Sequence, residues 1–78
     1  MEFRRSAFKH GVTVDAIEHA VEHWLLWRDN VNGSQTTLIL GPDNAANILE
    51  VLAEIDADEM YVFHAMPARR QFLTLLEQ

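Results

Sequence analysis

Residues Val14 to Trp24 carry a helical period that the rest of the chain abandons, and this switch constrains the fold more than any other feature. On a helical wheel Ala16, Ile17, Ala20, Val21 and Trp24 fall on one side, with Asp15, Glu18, His19, Glu22 and His23 on the other. Apolar residues three and four apart give a helix one face to bury, and Thr13 can cap its start. After Trp24 the pattern is one of strands and turns. Leu25 to Arg28 and Thr36 to Leu40 flank Asp29 to Gln35, where Asn32-Gly33 favours a hairpin. Gly41-Pro42-Asp43-Asn44 is a second turn. Leu49, Val51, Ala53 and Ile55 alternate with Glu50, Leu52 and Glu54, as in a strand with one buried face. Asp56 to Asp58 turns the chain into Met60 to Met66, largely apolar and expected at the centre of the sheet. Pro67 suits the first position of a helix through Glu77, with Ala68, Phe72, Leu75 and Leu76 on its apolar side. Near the start, Ser6 to His10 reads as a short helix that Gly11 stops. The sum is one small α+β domain over residues 1–78. Its antiparallel sheet has about four strands, with two N-terminal helices and one C-terminal helix.

At 78 residues and 49% apolar content the chain has enough to fold but little beyond one core. It has no cysteine, which removes disulfides, thiolate metal sites and cysteine nucleophiles together. Its apolar runs are too short for a membrane span or a secretory signal, so a cytoplasmic protein without membrane association is the expectation.

Charge is distributed unevenly. The net charge is −6, yet residues 1–10 carry +2 and residues 65–78 carry +1, leaving −9 on residues 11–64. Five of the six cations lie at the two chain ends, which would form one basic patch if the ends pack together. Arg69 and Arg70 fall in the first turn of the last expected helix, where exposed N–H groups and guanidinium groups suit an anion such as a phosphate. Pairing with carboxylates is the plain alternative.

The four histidines separate into two kinds. His19-Ala20-Val21-Glu22-His23 matches the H-x-x-E-H pattern of inverted zinc peptidases. It lies on the solvated side of its helix, in a chain too small to add a third ligand and a substrate groove, so a peptidase is rejected and no metal or other cofactor is expected. His10 and His64 are the acid–base candidates. His64 interrupts an apolar strand just ahead of the basic helix start, and a histidine there can move protons at neutral pH. A hydrogen-bonded core histidine is the alternative reading.

Lys9-His10-Gly11-Val12, followed by the capped helix start Thr13-Val14-Asp15-Ala16, resembles the KHGV segment that opens BrnT-like toxins. Val62-Phe63-His64-Ala65-Met66-Pro67-Ala68-Arg69-Arg70 sits where those toxins have their last strand and an Arg-rich helix start. The resemblance implies a RelE-like fold and a ribonuclease toxin held inactive by a cognate antitoxin protein, the pair repressing its own operon. It places Lys9 and His10 on the family's basic pair, and Arg69 and Arg70 near its second basic cluster. The chain departs from the family at the strand end, where His64, Met66 and Pro67 replace the usual serine and arginines. Metal-free cleavage of RNA would use His10 and His64 as acid and base with Lys9 beside them, and Arg69, Arg70 and Arg5 on the phosphate. The acidic stretch Glu50 to Glu59 would suit a basic antitoxin. The alternative is a non-catalytic interaction module of the same fold, whose surplus apolar residues, Trp24, Trp27, Leu76 and those near Met60, would meet a partner or a second copy in a homo-oligomer.

Overall fold

A computed structural model describes all 78 residues, Met1–Gln78. The chain runs β1 (Glu2–Phe3), a 3₁₀ turn (Arg5–Phe8), α1 (Val14–Glu22), β2 (Leu26–Val31), β3 (Thr36–Pro42), β4 (Ile48–Asp56), β5 (Glu59–Pro67), α2 (Arg70–Leu73) and a last 3₁₀ turn (Thr74–Glu77). The strands form one sheet in the order β1-β5-β4-β3-β2. This is a small α+β domain with a mixed sheet, and no helix in it is long and apolar enough to cross a membrane.

Helix α1 forms where its period places it. The Thr13 hydroxyl accepts from the Ala16 N–H at 3.1 Å, and Ile17 and Ala20 are fully buried against Ile39, Val51 and Val62. The helix closes at Glu22 with His23 as C-cap, so Trp24 lies beyond it and is 52% exposed rather than part of the helical core face. Gly41 sets the helix–sheet distance: a Cβ there would stand 2.0 Å from the Ala20 carbonyl oxygen. Only a residue without a side chain lets the two backbones come this close.

The sheet departs from the expected four antiparallel strands at its N-terminal edge. β1 pairs in parallel with β5, Glu2 beside Tyr61 and Phe3 beside Val62, so β5 is second from the edge and β4 takes the centre. Two residues show no period that a sequence pattern could register.

Neither terminal helix has the expected form. The Ser6 hydroxyl donates to the Phe63 carbonyl instead of capping, and the segment is a 3₁₀ turn with Ala7 buried. At the other end the ladder continues through Pro67, opposite Leu49, and the Ala68 N–H donates to the Ile48 carbonyl at 2.9 Å. With those residues held by the sheet, helical structure begins only at Arg70 and gives one α-turn before the 3₁₀ turn. Phe72, Leu75 and Leu76 are half-buried in that segment, as its apolar side requires.

Candidate active site at the edge of β5

The two faces of the sheet follow from register. Leu49, Val51 and Ala53 of β4 face α1. Glu50 and Leu52 face the other way, with Leu40 and Met66 level with Glu50, and Leu38 and His64 level with Leu52. Leu38, Leu40 and Glu50 are all buried on this second face. A carboxylate there must find partners or lose its charge. Glu50 finds two on the elements that follow it.

The Glu50 carboxylate accepts from the Arg69 backbone N–H at 2.8 Å, from Arg69 Nε at 3.0 and 3.2 Å, and from Nη2 at 2.7 Å. His64 Nε2 donates to Oε2 at 2.9 Å. Burial acts to raise the Glu50 pKa, but hydrogen bonds from the Arg69 side chain and backbone and from His64 outweigh it and hold the group below its ordinary value. The bond to Glu50 in turn raises the Arg69 guanidinium. Because an ionised carboxylate only accepts, the His64 proton facing it is on Nε2, which leaves Nδ1 as the nitrogen available for proton transfer.

His10 completes the cluster. The β1 ladder covers only Tyr61 and Val62, and beyond it the Arg5–Phe8 turn packs along β5. Gly11, at φ +79°, then redirects the chain into α1. This route brings the His10 ring edge-on to His64, with centroids 5.5 Å apart. Two histidines 54 positions apart in the sequence therefore share one site. The N-terminal segment packs along β5, and the C-terminal segment follows directly from the end of that strand.

The expected site residues fare differently. His10 and His64 are brought together. Lys9 is exposed directly before His10, and Arg5 and Arg70 are exposed on the flanking segments. The arginine pair does not form an anion site at a helix start, because α2 is a single turn and Arg69 is its extended N-cap. The anion beside Arg69 is Glu50 of the same chain. Glu50 is correspondingly withdrawn from the acidic surface expected over Glu50 to Glu59. A signal for it existed: an acid inside the otherwise apolar run Ile48 to Ala53 must be paired if that run is buried on both faces. His19, expected on the solvated side, is half-buried with Nδ1 2.7 Å from the Pro42 carbonyl, and its ring stacks on His23 at 4.2 Å.

Sequence reasoning also missed a groove of about 420 Å³ beside His10, between the start of α1, the turn after β3 and the strand ends Leu49 and Pro67. No protein-family model, no curated protein and no solved structure matches the chain.

Proposed function

We propose that this protein is a metal-free endoribonuclease with a RelE-like layout, acting as the toxin of a toxin–antitoxin pair. One observation carries the reading: two imidazoles stand edge to face at 5.5 Å, and one of them is held by a buried carboxylate. This is the equipment for proton transfer at a single centre.

In this mechanism His64 Nδ1 takes the proton of the RNA 2′-hydroxyl as its oxygen attacks the adjacent phosphorus. Glu50 keeps Nε2–H in place and stabilises the imidazolium as it forms, so it is a positioning residue. His10 donates a proton to the leaving 5′-oxygen as the P–O bond breaks. The products are a 2′,3′-cyclic phosphate and a free 5′-hydroxyl. Lys9, Arg70 and Arg5 are exposed cations near the chain ends that can meet the phosphate oxygens. Arg69 serves the reaction indirectly, by holding Glu50.

The test is cleavage of single-stranded RNA by purified, antitoxin-free protein in excess chelator. His10→Ala and His64→Ala should each lower the rate by about 10²- to 10⁴-fold, with cyclic-phosphate ends on the wild-type product. Intact RNA with wild type, or equal cleavage by the His64 variant, sinks the proposal.

A second reading keeps the fold without the chemistry. It is favoured by Trp24 and Leu25, 52% and 55% exposed at the entry to the edge strand β2, where a partner protein could cover them. Under that reading Trp24→Ala weakens partner capture while His64→Ala leaves every phenotype unchanged.

A further inference from the structure

The groove beside His10 opens on the α1 face of the sheet, whereas His64 and Glu50 lie on the opposite face. His10 belongs to both: it lines the groove and touches the His64 ring, because it sits at the edge of β5. A nucleotide whose phosphate lies between the two histidines therefore has the groove within reach of its base.

Val12, Ala16, Leu49 and Pro67 supply apolar walls, and Asp43 and Asn47 supply the polar rim. An apolar slot with a few placed polar groups is how proteins hold an unstacked base. The rim is rigid. Asp43 Oδ1 accepts from the Ala45 N–H at 2.9 Å and the Asn47 N–H at 2.8 Å. The Asp43 N–H donates to the Asn47 carbonyl at 2.8 Å. Oδ1 is thus occupied by the turn, while Oδ2 has only a long 3.4 Å contact from Asn47 Nδ2. Asp43 lines the groove, so its less-engaged oxygen is a carboxylate acceptor free to bond a ligand there, and hydrogen bonds from the Asn47 and Ala45 backbone lower the pKa of that carboxyl.

The geometry points to a base-reading subsite in this groove, in which Asp43 Oδ2 accepts from the exocyclic amino group of cytosine, adenine or guanine and disfavours uracil. Uracil has no amino group: its one base-edge N–H, at N3, is flanked by two carbonyl oxygens that repel the carboxylate, so it is the poorest partner of the four. The subsite rests on the ribonuclease reading for its purpose but not for its test.

The four nucleoside 3′-monophosphates, titrated into ¹⁵N-labelled protein, should shift the amides of Val12, Ala16 and Asn47. The three amino-bearing nucleotides should bind about fivefold or more tightly than uridine 3′-monophosphate. Asp43→Asn keeps an Oδ1 for the turn and replaces the free oxygen with an N–H donor, so the preference should reverse toward uridine. Ala16→Leu should fill the groove and weaken all four alike. Equal binding of the four nucleotides, or shifts that bypass the groove amides, overturns the subsite. Selective binding by a protein that cleaves no RNA supports the subsite and counts against the ribonuclease. Cleavage without base preference and without groove shifts does the reverse.

Discussion

The two faces of the central strand β4 are both buried, yet they are stabilised by opposite means. Toward α1 the contacts are Leu49, Val51 and Ala53 against Ile17, Ala20, Ile39 and Val62, held together by apolar burial and the close approach at Gly41. Toward the C-terminal segment Glu50 is fully buried between Leu40 and Met66 in register, and Arg69 and His64 satisfy it. The apolar face tolerates changes that conserve volume. The polar face tolerates few, since each partner removed leaves another unpaired. The proposed proton chemistry is placed on the second face because a charge fixed inside a protein can orient an imidazole, and an apolar contact cannot.

The largest effect should come from breaking the apolar face at its tightest point. Gly41→Ala places a methyl group 2.0 Å from the Ala20 carbonyl oxygen. Backbone must move, and a loss on the order of 3 kcal/mol or more is expected in chemical denaturation. A near-neutral result would mean that α1 can slide on the sheet.

Glu50→Gln tests the other face. It keeps the shape, removes the charge, and should cost about 2 kcal/mol, with loss of the acid–base function attributed to His64. Its pH signature is distinctive. The Glu50 pKa is lower in the folded protein than its ordinary 4.5, so the folded state binds this proton less readily than the unfolded chain. The stabilisation is therefore complete above that range and disappears as pH falls below about 4.5 through the folded value. The Gln variant should lack this part of the acid dependence in denaturation curves collected from pH 7 to 3. Parallel curves for both proteins would show that the ion pair adds nothing.

Thr13→Ala removes the hydroxyl that accepts from Ala16 and should cost about 1 kcal/mol, all of it on the α1 face. Trp24→Ala should be smallest, within about 0.5 kcal/mol, because the side chain is outside both cores. A larger loss would show that its edge-on contact with Trp27, at 5.9 Å, carries real stability.

Helix α1, the three hairpin-connected strand pairs and the turn at Asp56 to Asp58 were legible in the sequence because they rest on local periods and turn residues. Asn32, Gly33 and Ala57 adopt the positive φ that such turns use. The bulge between Arg28 and Val31, which lets β2 run to Val31, was not legible, since the chain between those residues reads as turn. Of the site, His10 and His64 could be named as chemically suited residues. Glu50 reads as exposed because alternation alone cannot reveal that a strand is covered on both sides.

By itself the sequence determined the α+β class and the one amphipathic helix, since these depend on neighbours within a few positions along the chain, and it named two histidines as candidates for proton transfer. Tertiary structure alone decided the parallel pairing of β1, the early end of the last helix and the union of His10, His64, Glu50 and Arg69. Each of these joins residues far apart in sequence. The buried carboxylate finds its partners only after the strands have paired, and that requirement fixes where the C-terminal segment leaves the sheet.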